Sequence, residues 1–212
     1  MARCLVFCAA EFDKLIDGVN DADYIIAADG GLAHVEKLGL KPHCILGDFD
    51  SLGYVPEEST VFPVEKDDTD AMLAVRRGLE LGYRDFVLYG SLDGPRLDHT
   101  VANFQTLQFL ADRGATGYLV GKDTIVTVVK NGTLCLPETC EGIISLFCMG
   151  QDATGVTIRG LQYELENGTL TPGFPLGVSN HFVGKAATVS VENGSLLVLY
   201  DRKNGMAKRI DN

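Results

Sequence analysis

The chain has 212 residues, 46% of them hydrophobic, enough for one large domain or two small ones with a substantial core and no need of covalent staples. A formal net charge of −11 argues against a nucleic-acid or anionic-membrane surface and is compatible with a cationic ligand or a bound metal. The longest apolar stretches are strand-sized, short of the roughly 18 to 20 residues of a membrane span, and the opening MARCLVFCAAEFDK turns acidic too soon for a signal peptide, so a cytoplasmic location is expected.

Through about residue 122, short continuous apolar runs alternate with helical periods. CLVFCAA, DYIIAADGG, CILGDFD, TVFPVEK, RDFVLYGS and TGYLVG read as buried strands. Between them, TDAMLAVRRGLELGY repeats Met72, Val75 and Leu79 at helical spacing, and RLDHTVANFQTLQFLADRG repeats Val101, Phe104, Leu107 and Ala111 before Gly114 stops it. Strand, helix and strand in succession predict an open, mostly parallel sheet with flanking helices, Rossmann-like in kind. From residue 123 the helical period is lost. DTIVTVVKNGTLCLP, GIISLFCMG, TGVTIRG, QYELENGTLT and AATVSVENGSLLVLYDRK read as strands, three of them with an Asn-Gly turn. The expected organisation is an α/β domain over 1–122 and an antiparallel β-sandwich over 123–212.

Six cysteines are too sparse for a disulfide scaffold, and Cys4 and Cys8 would stand roughly 13 Å apart along one strand face. With neither CxxC nor HExxH in the chain, structural zinc is not expected.

In open α/β sheets, ligands bind at the carboxyl ends of the strands. There the sequence places Asp29 after the second strand, Asp48 and Asp50 after the third, Asp67, Asp68 and Asp70 after the fourth, and Asp93, Arg96 and Asp98 after the fifth. Each has a plainer reading: Thr69 or Asp70 can cap one helix and Asp98 the next, and Asp29-Gly30-Gly31 can be a turn. Acidic residues delivered to one sheet edge by four successive strands point instead to function. Carboxylates with few basic neighbours suit Mg²⁺, which takes oxygen ligands and shares its shell with phosphates. Gly90 and Gly94 flank a strand-to-helix loop whose backbone N–H groups can approach phosphate, with Arg96 as a forked donor. The same glycines also serve as turn formers, and neither GxxxxGK[ST] nor GxGxxG is present.

The ordered set ADGG (28–31), GDFDS (47–51), KDDTD (66–70) and GPRLDH (94–99), followed by GVSN (177–180), resembles the thiamine pyrophosphokinase family. That resemblance implies transfer of a diphosphate from ATP to the hydroxyl of thiamine, with Mg²⁺, by an α/β catalytic domain and a thiamine-binding β-sandwich. It also implies a homodimer with thiamine pockets at the subunit interface. By the resemblance, Asp48, Asp50 and Asp70 are metal ligands, and Asp29 and Asp98 further active-site acids. Arg96, Gly90, Ser91 and Asp98 fall at the ATP site, and Ser179 and Asn180 at the thiamine site. The chain departs from the family in having Gly90-Ser91 where Gly-Gly is common. It also lacks tryptophan, so any ring stacking on thiamine must come from another residue; Phe182, beside the Ser-Asn pair, is one candidate, with burial in the sandwich core as its equal alternative. His181 is expected at a surface or turn, and His99 at a helix start. Phe49 should point away from the metal if its segment stays extended. Competing readings are a metal-dependent sugar-nucleotide transferase using Asp48-Phe49-Asp50, and a non-catalytic thiamine or nucleotide sensor.

Overall fold

The computed structural model describes residues 2–49, 54–57, 59–61 and 67–211. The chain divides into two compact units, Met1–Lys122 and Asp123–Asn212. No helix among the described residues is long and apolar enough to cross a membrane.

In the first unit, β1 (Cys4–Phe7), β2 (Tyr24–Ala28), β3 (Cys44–Gly47), β4 (Thr60–Val61), β5 (Asp85–Tyr89) and β6 (Thr116–Val120) form a parallel sheet in the order β6-β5-β1-β2-β3-β4. The runs CLVF and FVLY are buried throughout, as continuous apolar strands covered on both faces should be. Helices α1 (Leu32–Lys37), α2 (Asp70–Glu80) and α3 (Leu97–Ala111) connect the strands. The chain steps outward from β1 to β4 and then returns to lay β5 on the other side of β1. Strand order therefore reverses between β1 and β5, and a crevice lies at the carboxyl ends of the strands around that switch point.

The helical stripes differ from those read in the sequence. On α2 the buried residues are Ala71, Ala74, Val75 and Gly78, while Met72 and Leu79 are half-buried. The helix rests on the sheet through small residues: a side chain at Gly78 would come within 2.8 Å of the Cys4 sulfur and meet the Phe86 ring. On α3 the buried face is Asn103, Thr106, Leu107, Leu110 and Ala111, with Phe104 half-buried and Val101 exposed. Leu107 and Leu110 settle over Gly117 of β6, where any side chain would displace them. Of the expected strand TVFPVEK, only Thr60 and Val61 form β4, and both are exposed; residues 62–66 lie outside the described residues.

The second unit is all antiparallel. Its strands are β7 (Thr124–Lys130), β8 (Gly132–Leu136), β9 (Ile143–Arg159), β10 (Leu165–Leu170), β11 (Gly177–His181), β12 (Ala187–Ser190), β13 (Asn193–Asp201) and β14 (Lys208–Asp211). GIISLFCMG and TGVTIRG, expected as two strands, are the two halves of β9. Its first half pairs with β13 and β11, and its second half with β12 and β10. Between them the register against β13 shifts, from Met149 opposite Ser195 to Thr154 opposite Asn193, so the strand passes from one ladder to the next through an irregularity. Alternating buried residues, Ile144 and Leu146 in the first half and Val156 and Ile158 in the second, contribute to the core.

None of the Asn-Gly pairs closes a hairpin between paired neighbours. Asn131 (φ 44°) turns the chain from β7 to β8, which pair with different partners. Asn167 (φ 49°) sits at an irregularity within β10, and Asn193-Gly194 opens β13. Two of them lock together: the Gly194 N–H donates to Asn131 Oδ1 at 2.9 Å, and the Asn131 N–H donates back to the Gly194 carbonyl at 3.2 Å.

Candidate active site

The crevice between β1 and β5 is a cavity of about 450 Å³. Its walls lie at the carboxyl ends of three strands: Cys8–Ala10 after β1, Ala28 and Asp29 at the end of β2, and Gly90 and Ser91 after β5. Two helix N-termini complete it, through Thr69 and Asp70 on α2 and through Gly94, Pro95 and Arg96 leading into α3. Residues at both helix N-termini therefore line the cavity, and a helix N-terminus favours an anion.

Local structure explains how the side chains arrive. Thr69, not Asp70, caps α2: its Oγ1 accepts the Met72 N–H at 3.2 Å, which leaves Asp70 in the first turn, lining the cavity. Asp29 takes φ 47° and opens a 3₁₀ turn over Asp29–Gly31 that leads into α1. Gly31 is needed there, because a side chain would collide with the Phe7 carbonyl. Asp29 is half-buried, with Oδ1 out of contact with solvent. Gly90 has φ 63°, and a side chain on it would press on the Cys8 and Ala10 carbonyls, so this turn between β5 and the loop requires glycine. The Ala10 N–H donates to the Gly90 carbonyl at 3.0 Å, tying the two cavity walls together at the switch point.

Ser91 is buried, and its hydroxyl donates to the Leu88 carbonyl at 2.8 Å. The side chain that replaces a second glycine is thus engaged with its own strand. Arg96 is exposed at the cavity mouth and is bridged by Asp98, with Nη2 to Oδ2 at 2.6 Å and Nε to Oδ1 at 3.3 Å. This hydrogen bond from Arg96 holds the Asp98 carboxyl below the usual carboxylate range. Asp98 neither lines the cavity nor caps α3; the cap position is Arg96, without a side-chain bond. Burial pushes the Cys8 thiol up to about 12, with nearby Asp70 adding to the effect, so this cavity cysteine stays protonated and is no nucleophile.

Other acids of the expected rim have turned away. Asp68 pairs with Arg76 at 3.0 Å, and Asp93 accepts the Lys122 N–H at 2.8 Å. Asp48 follows β3 and is half-buried; Asp50 lies outside the described residues. Phe49 has φ 59° and is buried, so the segment does not stay extended and simple alternation does not fix its direction. Among the described residues, no three His, Cys, Asp or Glu side chains converge as a metal-binding group. The available donors are carboxylates carried after β2, after β3 and at the start of α2, an all-oxygen set of the kind that suits a hard cation.

In the second unit Ser179 (φ 60°) is exposed at an irregularity of β11, and its N–H donates to Ser145 Oγ at 3.0 Å. Asn180 is buried and bonded inward. Its Nδ2 donates to the Tyr163 carbonyl at 2.7 Å, while its Oδ1 accepts the Tyr163 N–H at 3.0 Å and the His181 N–H at 2.9 Å. His181 is not in a turn: it ends β11, half-buried. Phe182 is half-buried and bridges to Leu161, and His99 is exposed in the first turn of α3. A second, smaller cavity of about 150 Å³ is lined by Tyr163, Leu176, Val178 and Asn180, among others. Sequence reasoning missed Cys8–Ala10 and Asn103 at the first cavity. A signal existed for Asn103, an amide on the buried face of a helix.

Residues 16–119 match the family model for the thiamin pyrophosphokinase catalytic domain, and residues 133–196 match that for its vitamin B1 binding domain. The thiamine pyrophosphokinase of Bacillus subtilis (strain 168) is 26% identical over 183 residues, spanning 82% of this chain and 85% of that protein. The crystal structure of thiamin pyrophosphokinase from Geobacillus thermodenitrificans is similar with a TM-score of 0.78 at 26% identity, covering 95% of this chain and 97% of that one. The yeast thiamin pyrophosphokinase structure shares the fold, with a TM-score of 0.69 at 15% identity over 94% of this chain and 86% of that one. With both family models matched in order along one chain whose first unit builds a cavity at its switch point, the chain belongs to the thiamine pyrophosphokinase family.

Proposed function

We propose that the chain transfers a diphosphate group from ATP to the hydroxyl of thiamine, giving thiamine diphosphate and AMP. The observation that carries this reading is the cavity between β1 and β5, where Asp29, Asp70, Gly90 and Arg96 meet two helix N-termini. The hydroxyl oxygen bonds to the β-phosphorus of ATP, the bond from that phosphorus to the oxygen shared with the α-phosphate breaks, and AMP departs. Such a transfer depends chiefly on alignment and charge neutralisation. Arg96 and the backbone around Gly90 and Ser91 bind the phosphates. Asp29, inside the cavity, orients the hydroxyl and takes its proton. Asp98, outside it and matched by Arg96, is a positioning residue for that guanidinium.

Asp48, Asp50 and Asp70 would hold Mg²⁺, which when bound supplies charge neutralisation at the phosphate oxygens. Ser179 offers its exposed hydroxyl to thiamine, and Asn180 shapes that segment through its bonds to Tyr163. Tyr163, Phe174, Leu176 and Val178 are large apolar side chains exposed on the second unit, which supports a homodimer. Light scattering should then give twice the 22.9 kDa of the chain. All six cysteines are free, as suits a cytoplasmic enzyme.

The decisive experiment incubates the protein with ATP, Mg²⁺ and thiamine and separates the products by chromatography. Stoichiometric AMP and thiamine diphosphate, both dependent on thiamine, are expected. Binding of thiamine without turnover would favour a sensor, and AMP release without thiamine would remove thiamine as the acceptor.

A further inference from the structure

We propose that Asn103 is the positioning residue of the nucleotide site, fixing the backbone of the Gly90–Ser91 loop to the helix that carries the phosphate-binding end of the cavity. The inference rests on the ATP reading of that cavity and goes beyond it.

The loop is held at several points. The Gly90 carbonyl accepts the Ala10 N–H, the Ser91 hydroxyl donates to Leu88, and Asp93 accepts the Lys122 N–H. These bonds tie the loop to β1, to its own strand and to the segment after β6. The side-chain bond that reaches it from α3 is Asn103 Nδ2 donating to the Ser91 carbonyl at 2.7 Å. Both residues are buried, Asn103 with 7% and Ser91 with 4% of its surface exposed, so this bond is shielded from competing water. Asn103 also lines the cavity, on the helix whose first turns bring His99 and Thr100 to it and whose cap position is Arg96.

An amide is a costly choice for a buried helix face on which Leu107, Leu110 and Ala111 pack. It repays that cost by setting the distance between two groups that must grip one polyphosphate: the backbone around Gly90 and Ser91, and the α3 N-terminus with Arg96. A loop free to slide by an ångström would lose alignment with the ligand while leaving the sheet folded.

The test uses Asn103→Leu, which keeps the buried face apolar, and Asn103→Asp, which keeps the shape and removes the donor. Binding of ATP and, separately, of thiamine is measured by calorimetry on each folded variant, with KM and kcat from the AMP assay. In both variants the Kd and KM for ATP should rise about tenfold or more, with thiamine affinity unchanged. A purely structural amide would lower Tm and leave ATP affinity at the wild-type value in the folded fraction, and that result overturns the proposal. In the wild-type chain, the Asn103 side-chain amide should shift in a ¹⁵N NMR titration with ATP; an unmoved resonance also overturns it, even if neither variant folds. Failure of the wild-type chain to bind ATP would instead overturn the nucleotide reading beneath it.

Discussion

In the first unit Asp29, Asp70 and Arg96 sit at a cavity made by loops, whereas in the second the Asn180 amide is tied on both sides to the backbone of Tyr163. The α/β unit places polar side chains where a ligand can reach them. The β unit uses a motif residue of β11 to hold the segment between β9 and β10, and exposes Tyr163, Phe174, Leu176 and Val178 instead. The contrast has a geometric origin. Parallel strands joined by helices leave every loop of one sheet edge facing the same way, so polar groups from distant parts of the chain converge. Antiparallel ladders consume polar groups in register and turns, and what the β unit leaves exposed near Asn180 is apolar side chains and the Ser179 hydroxyl.

The largest expected effect breaks the first side of that comparison. Asp48→Asn or Asp70→Asn should lower kcat by about 10³, the order lost when one group that neutralises transition-state charge is removed, while circular dichroism and Tm stay near wild type. Near-normal Mg²⁺-dependent turnover in both would sink the assignment of these acids to catalysis.

The same unit also contains an acid used as the β unit uses Asn180. Asp23 precedes β2, at the opposite edge of the sheet from the cavity, and is buried. It accepts from Arg3 Nη2 at 2.6 Å, from Arg3 Nε at 3.1 Å and from Asn20. Burial alone would raise its pKa, but the hydrogen bonds from Arg3 and Asn20 outweigh it and hold the carboxyl below the usual range. Asp23→Ala removes these charge-assisted hydrogen bonds from a buried position, while Arg3 keeps Asp17 at 3.4 Å, and should cost about 3 kcal/mol in chemical denaturation. A depressed folded pKa stabilises above the unfolded value and is lost as pH falls through the folded one. The advantage of wild type over Asp23→Asn should therefore be full at neutral pH and shrink below about pH 4. An advantage that grows on acidification would contradict the pairing.

Much of this arrangement was legible in the sequence. Continuous apolar runs announced β1, β2, β3, β5 and β6 because strands covered on both faces cannot be polar, and the loss of helical period announced the β unit. Strand neighbours were not legible. That β5 returns to lie beside β1 is a long-range pairing, and it decides that Cys8–Ala10 faces Gly90–Ser91. Nor does spacing reveal which rim acids turn outward: Asp68 and Asp93 read like Asp70 until Arg76 and the Lys122 N–H are placed beside them. β9 reads as two strands in the sequence, and the residues around its register break include Gly150 with φ 77°.

The second side of the comparison is tested by Asn180→Ala. The substitution removes two hydrogen bonds that the buried Asn180 amide makes to the Tyr163 backbone, which should together cost about 2 kcal/mol. If the residue serves structure first, Tm falls by several degrees and KM for thiamine rises, while kcat at saturating thiamine changes little. A collapse of kcat at unchanged Tm would move Asn180 to the reacting atoms and remove the distinction between the units.

The smallest expected effect sharpens the boundary of the catalytic set. Asp98 has a carboxyl held ionised by Arg96, and it lies outside the cavity, whereas Asp29 lies within it. A carboxylate whose negative form is already matched by a guanidinium is a weakened proton acceptor, so under the proposed function its part is to hold Arg96 toward the phosphates. Asp98→Asn should then raise KM for ATP by about threefold to tenfold and change kcat by less than about threefold. High salt, which screens an exposed pair, should bring the wild-type KM toward that of the variant. Asp29→Asn should do the reverse, lowering kcat with KM for ATP nearly kept. If the two phenotypes are exchanged, the proton acceptor is the exposed acid at the start of α3, and a cavity lined by Asp29 serves only to hold substrate.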